Sequence, residues 1–445
     1  MNLKSWTPTE YLWLTIAAGL LCYPTFLHSN GGTGIPRIGT GDQPHYMIML
    51  DSLIMDGDFD LTNNYSNSEH GGRGMGADNR FKDYDHHSLF WIKGRPVQWR
   101  DLYESYWFNW TRVPGTDVLL PKRLAGSTED LTGLIERPAH PIGLPLFLGF
   151  FVWPFRGTGA VEPLALLIIT CGGILAMLLF HSLARQWAPS YRVALVVTVL
   201  AFLGTPAWHY ARCLFAEELL LLFAVGACVV SIRWHWFWGA GALIAIGLLM
   251  KPPFVLLAGP LAILAWRTRG LRGVVALAVP LFVAVTVLLV SNAQMYGSPF
   301  HMAQVFWWAN PLNGLWQYAF AEKGILAASP VVLVALAGWP RLLKDRGLDG
   351  SVVLGCAAIY IGILSCWAVW DGGWCYGPRL VLPIVPLLLF GLLGLDFSKR
   401  WVIVALVVLG GVSLAINGIA SFHWWQVSDT QPPRLVMHWL EGLPK

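Results

Sequence analysis

Three short stretches of the chain combine residue types that can move a proton or hold an anion. The first is Gly41-Asp42-Gln43-Pro44-His45-Tyr46, followed a little later by Asp58 and Asp60. A carboxylate held partly out of water can act as a general base toward a hydroxyl, worth about 10²–10⁴ in rate. Asp42 could also cap a helix starting near Pro44, since Asp is favoured before a helix and Pro within its first turn. The two roles are compatible. The second stretch is Glu217-Glu218, just after Tyr210 and Arg212. The helix dipole accounts for one acid at a helix N-terminus; a second beside it makes one of the two a candidate for facing a site. The third runs Trp367-Ala368-Val369-Trp370-Asp371-Gly372-Gly373-Trp374-Cys375-Tyr376-Gly377-Pro378-Arg379. Glycines let backbone approach a ligand closely, Trp374 and Tyr376 offer faces suited to a sugar or a prenyl chain, and Arg379 could clamp a phosphate with two parallel hydrogen bonds. The competing reading is an aromatic belt with an interfacial arginine. Lys251, ahead of Pro252-Pro253, could be a second phosphate ligand or a cation snorkelling to the interface.

Other polar groupings are weaker. Asp83, Asp85, His86 and His87 match no metal-site spacing and read as a solvated turn. The glycine-rich 70–76 stretch lacks the strand and helix that a phosphate loop requires. Sequons occur at Asn64 and Asn109. The seven cysteines have no paired spacing, so neither a disulfide framework nor a metal site is expected.

The elements that must position these residues are set by the solvent the chain needs. Its 445 residues are 55% apolar and only 13% charged, with a mean hydropathy of +0.53. Soluble domains carry about a quarter charged residues, so this composition calls for a bilayer. The net charge of +4 is too small to suggest nucleic acid as a partner. Apolar runs lie at 11–27, 161–183, 193–208, 215–232, 236–250, 254–266, 274–291, 325–337, 352–367, 380–395 and 401–419. Backbone in lipid must pair internally, and runs without two-residue alternation exclude a barrel. The expectation is an all-α polytopic membrane protein with about eleven transmembrane helices, its first run an uncleaved span rather than a signal peptide.

Orientation turns on residues 140–155 (HPIGLPLFLGFFVWPF), apolar but short and interrupted by Pro141, Pro145 and Pro154. If this segment does not cross, and the N-terminus is cytoplasmic, the inner short loops hold Arg185, Arg192, Arg233, Arg267, Arg269, Arg272, Arg341, Lys344, Arg346, Lys399 and Arg400. The outer loops after the first then hold Arg212, Lys251, Lys323 and Arg379. Eleven against four satisfies the positive-inside rule. Residues 138–159 are therefore expected to be interfacial or re-entrant. Residues 28–137 form a long extracytoplasmic loop, 292–324 a second, and the tail from 421 lies outside. The chain reads as one membrane domain, 1–445, in the inner or plasma membrane. Ionisable residues near membrane ends mark function by default. Asp42, Glu217, Glu218, Lys251, Asp371 and Arg379 all fall on the outer side, so any chemistry is expected to face the periplasm or exterior.

At this point the residues resemble the GT-C superfamily, multi-helix glycosyltransferases that use lipid-linked donors. The likeness spans most of the chain. It rests on GDQPHY after the first helix, HPIGLPL, Tyr210 to Glu217, Tyr296-Gly297-Ser298-Pro299-Phe300, GILAASP at 324–330, and above all WAVWDGGWCYGPR. Bacterial members related to aminoarabinose and protein-mannosyl transferases are the nearest in pattern. The resemblance implies a GT-C-type cap built from the long first outer loop. It also implies inverting transfer of a hexosyl or pentosyl group from a polyprenyl-phosphate donor to a hydroxyl on a glycan, lipid or protein acceptor. Asp42 would be the general base, Glu217 a second acid of the cavity and Arg379 a contact to the carrier phosphate. Lys251, Glu218, Arg212, His45, Tyr46, Trp374 and Tyr376 complete the expected substrate-binding set, alongside membrane lipids as partners. Relatives often carry two adjacent acids where this chain has Asp42-Gln43. The missing charge weakens the case for a divalent cation, so no cofactor or metal is expected. A transporter or flippase, a ligase using a diphosphate-linked oligosaccharide, and a non-catalytic scaffold are the alternatives. Transporters favour internal repeats and midplane charges, and the sequence shows neither.

Overall fold

The apolar runs become helices whose ends fall where the sequence changes character. A computed structural model describes residues 6–27, 35–38, 42–65, 88–92, 95–96, 110–112, 119–121, 134–301, 306–373 and 375–422. The expectations for Trp374, the 70–76 stretch, Asp83, Asp85, His86, His87, Asn109 and the end of the tail lie outside the described residues.

In chain order the elements used below are α1 (Pro8–Leu27), α2 (Gln43–Asp51), β1 (Ser88–Ile92), β2 (Arg95–Pro96), β3 (Trp110–Arg112), β4 (Leu119–Pro121) and β5 (Leu134–Pro138), then α3 (Gly143–Val152), α4 (Val161–Trp187), α5 (Tyr191–Leu203), α6 (Ala216–Trp234), α7 (Phe237–Met250), α8 (Ala258–Tyr296), α9 (Pro311–Phe320), α10 (Val331–Leu364) and α11 (Arg400–Phe422). Among the described residues, five helical stretches are long and apolar enough to cross a membrane: α1, α4, Pro252–Tyr296, α10 and α11. α8 breaks at Gly270 and α10 at Gly347, both at positive φ. Those breaks fall in or just after the basic groups at 267–272 and 341–346, between the paired apolar runs read from the sequence. Large apolar side chains stand exposed on the outward faces, including Val404, Val407 and Val408 of α11 and Phe282 of α8. Lipid is the solvent that such surfaces need. The chain is a helical membrane protein.

Two sequence expectations are corrected. The chain is not wholly α-helical: β2-β1-β5 form an antiparallel sheet with Trp91 opposite Ile135, and β3-β4 form a hairpin-like pair. Between α2 and α3 the sequence lacks an apolar helical repeat, and short β-branched and aromatic runs such as SLFWI pair instead. The 380–395 run is not a continuous α-helix either. It consists of 3₁₀ turns at Arg379–Ile384 and Leu389–Gly394 around one α-turn. Pro383 and Pro386 remove amide donors there and prevent a regular ladder. Every residue from Arg379 to Gly394 is buried, so protein rather than lipid surrounds it.

The chain divides into two compact units, Met1–Arg37 with Leu166–Val283 and Phe306–Lys445, and Ile38–Ala165 with Ala284–Val305. In the first, α1 packs on α5 and α11, α6 on α7, and α10 on α11 and the 389–394 segment; α6 also lies along 379–384. A polar pin ties α1, α4 and α5 together. Buried Glu10 accepts from the Thr7 amide (2.7 Å) and Arg185 Nε (2.9 Å), and lies 3.3 Å from His181, whose other ring nitrogen is 3.0 Å from Thr198 Oγ1. In the second unit α2 packs against α3, with Leu50 and Leu53 over Gly149. With its 3₁₀ extension α3 runs Gly143–Phe155. At ~1.5 Å per residue that is about 20 Å, short of a ~30 Å hydrocarbon core.

Candidate active site

Residues 366–373 and 375–379 belong to a loop whose carbonyls face two cations, Arg379 of the loop itself and Lys323. Gly372 and Gly373 sit at φ 70° and 71°, the left-handed region that a side chain disfavours. This turns the Gly372 carbonyl onto Arg379, whose Nη2 donates to it at 2.8 Å. It also turns the Gly373 carbonyl toward Lys323, whose Nζ donates at 2.6 Å and lies 3.8 Å from Asp371. The Arg379 guanidinium rests 4.6 Å over the Phe215 ring, a stacking that favours a planar cation.

Phe215 precedes α6, which brings Glu217 into its first turn. Lys251 ends α7 in an extended conformation, because the two prolines that follow stop the α-helix. Lys251 Nζ donates to Glu217 Oε1 at 2.9 Å, and Arg379 Nε is 3.8 Å from the same oxygen. All three side chains are nearly inaccessible, at 11%, 6% and 8% exposed. One carboxylate thus sits between two cations in a buried setting.

The two neighbouring acids part company. Glu218 turns away from Glu217's partners, fully buried against Gly173 of α4, and neither of its oxygens has a hydrogen-bond partner among the described residues. Tyr376 is also interior: its ring lies 4.8 Å from His209, its hydroxyl donates to Asn417 Oδ1 at 3.2 Å, and its carbonyl accepts from Tyr210 at 2.7 Å. Burial pushes the Tyr210 phenol well above its usual range, which keeps it a donor. Tyr376 therefore anchors the loop from below. Arg212 is buried and reaches the Ala420 carbonyl at 3.5 Å. Sequence reasoning missed Lys323 and Asn417 as site-forming residues. Lys323 was one more cation of an outer loop, and a lysine-to-carbonyl bond 50 residues away leaves no local signal.

Asp42, His45 and Tyr46 belong to the other unit. Asp42 precedes α2 and its carbonyl accepts from the Tyr46 amide at 3.1 Å. Its side chain makes no capping bond, so capping does not explain the carboxylate. His45 and Tyr46 are buried with their ring centroids 6.2 and 4.9 Å from that of His140, which brings GDQPHY and HPIGLPL together. The acids beyond α2 serve the backbone. Asp58 accepts from Ser52 and the Asp60 amide, and Asp60 from Thr62. Asn64, 3% exposed, donates to Asp56. The described residues gather no trio of His, Cys, Asp or Glu able to hold a metal.

No family model matches the chain, and no curated protein matches it in sequence. Solved structures match it in fold. ArnT from Cupriavidus metallidurans in the apo state superposes with a TM-score of 0.53 at 13% identity, covering 94% of this chain and 66% of that one. ArnT bound to undecaprenyl phosphate gives 0.53 at 14%, covering 93% and 70%. The apo oligosaccharyltransferase of Archaeoglobus fulgidus gives 0.51 at 12%, covering 98% and 60%. The chain thus spans about two thirds of the first of these. The chain shares its fold with these solved structures.

Proposed function

We propose that this chain is an integral membrane glycosyltransferase that moves a sugar from a polyprenyl-phosphate donor to an acceptor hydroxyl on the extracytoplasmic side, with inversion. The observation that carries the reading is the buried Lys251–Glu217–Arg379 cluster, two cations about one carboxylate, in a fold shared with a protein solved with undecaprenyl phosphate. Asp42 is the general base. It takes the proton of the acceptor hydroxyl as that oxygen attacks the anomeric carbon. The bond from the anomeric carbon to the phosphate oxygen breaks, and its electron pair leaves on the polyprenyl phosphate. Arg379 and Lys251 then stabilise the added negative charge, a preorganised electrostatic effect of the kind that dominates many such sites. A phosphate neutralised in this way leaves without a dedicated general acid, and the reaction proceeds without a metal. The N-terminus lies in the cytoplasm, and α3, with exposed Phe150, Phe151 and Trp153, lies at the membrane interface.

The test is sugar release from a panel of polyprenyl-phosphate sugars by the reconstituted protein and its Asp42→Asn variant, each with and without a chelator. Turnover by the parent, indifferent to chelator and reduced at least ~10²-fold in the variant, is expected. Equal turnover by both proteins would remove Asp42 from the reaction.

A further inference from the structure

Helix α9 presents an apolar face that the rest of its unit leaves open. Leu312, Leu315, Trp316 and Phe320 follow helical spacing and are exposed by 73%, 40%, 64% and 57%. Trp308, just ahead, is 74% exposed. The opposite face is fastened down. Gly314 sits so close to the Ser365 carbonyl that a Cβ there would collide with it, and Tyr318 meets Trp370 edge-on at 5.7 Å. No charged residue occurs from Phe306 to Ala321.

We propose that α9 is an interfacial helix, with Leu312, Trp316 and Phe320 inserted into the lipid leaflet on the membrane face that carries the Lys251–Glu217–Arg379 cluster. Its ten residues extend about 15 Å, too short to cross. Tryptophan and phenylalanine with leucine on one face, without charge, are the composition of the interface rather than of a water-facing helix. The surface is also continuous with lipid-facing protein: α10, a membrane-spanning candidate, begins at Val331 and exposes Leu333 and Leu336 near its start. A helix that must leave water this close to a span meets the bilayer first.

The consequence reaches the loop. The Ala309 amide donates to the Cys366 carbonyl at 2.7 Å and the Ala368 amide to the Trp307 carbonyl at 2.9 Å, on either side of the Trp308–Trp367 bridge. Lys323, just beyond α9, holds Gly373. The lipid-inserted helix is thereby bonded at both ends to the loop that leads into Arg379, and it sets that loop's depth.

The experiment uses the full chain, one copy per nanodisc, in phosphatidylcholine and phosphatidylglycerol doped with a phosphatidylcholine that carries a diazirine on its acyl chain. After irradiation, lipid adducts are mapped by peptide mass spectrometry, with α11 as the internal reference. The α9 peptide is expected to carry adducts within about threefold of α11. In Leu312→Glu/Trp316→Glu they should fall at least about fivefold while α11 labelling and the apparent unfolding temperature hold. Labelled α11 with α9 at background in the parent would overturn the proposal. None of these readouts depends on transferase activity.

Discussion

Replacing Glu217 with glutamine removes the carboxylate that Lys251 and Arg379 share while keeping shape and volume. The gross attractions it loses follow from the 2.9 and 3.8 Å separations: about 6 and 4 kcal/mol at an effective dielectric of about 20. Most of that was offset by the cost of taking the charges out of water. Removal of one partner from a buried pair leaves a net loss of about 3–5 kcal/mol. The double variant Glu217→Gln/Lys251→Met also removes one of the cations that Glu217 served, so it should be less destabilised than the sum of the singles by about 1–3 kcal/mol. Apparent unfolding can be followed with a thiol-reactive fluorophore, because Cys213, Cys228, Cys356 and Cys375 are buried. Burial pushes the Cys213 thiol up to about 12, so it offers almost no thiolate at pH 7.5 until the protein opens. Undecaprenyl phosphate adds a second reading. If the cluster receives a phosphate, an excess of the lipid should raise the unfolding temperature of Glu217→Gln more than that of the parent, since binding stabilises in proportion to RT ln(1 + [L]/Kd). Glu217→Gln with parental stability and an additive cycle would refute the reasoning, because the three charges would then not be coupled.

Two further outcomes follow from the loop. Arg379→Lys keeps a cation but gives up the planar fork over Phe215 and the bond to the Gly372 carbonyl. Sugar transfer measured with undecaprenyl-phosphate donors should fall about 10–100-fold, the equivalent of ~1.5–3 kcal/mol for a charged hydrogen bond. Gly372→Ala and Gly373→Ala both force a side chain into the left-handed region at a cost of about 1–2 kcal/mol. At Gly372 the added carbon also meets Arg379 Nε and Cys375 Sγ at 3.3 Å, whereas at Gly373 it meets nothing within 4 Å. Thermal unfolding and transfer assays should therefore rank Gly372→Ala as the more damaging; the reverse order would contradict the loop's geometry.

The adjacent acids show what the sequence could and could not reveal. That two carboxylates open a membrane helix is visible in the residues alone. Which one joins the cations is not, because successive helical positions diverge by about 100°, and α6 is apolar and buried nearly all round. An amphipathic helix announces its inward face; this one has no polar side from which to take its phase. The structure resolves it by direction, Glu217 toward Lys251 and Glu218 against Gly173. The 380–395 run misled for a related reason. Uniform apolarity signals burial without saying whether lipid or protein does the burying, and only Pro383 and Pro386 warned against a regular helix.

The same physics explains why the candidate site was legible as a set of residues and not as an arrangement. Helix interiors in a bilayer admit few charges, so the ionisable groups collect where helices end: Glu217 at the start of α6, Lys251 at the end of α7, Lys323 past α9 and Arg379 at the onset of a 3₁₀ turn. Each interrupts an apolar run and is conspicuous for that reason. Their pairing is set by which helix ends meet, and those ends lie 34 to 50 residues apart at the Glu217–Lys251 and Lys323–Gly373 contacts. No periodicity links such positions. What the sequence carries is the kind of group that gathers at these ends; how their charges balance follows only from which of them meet.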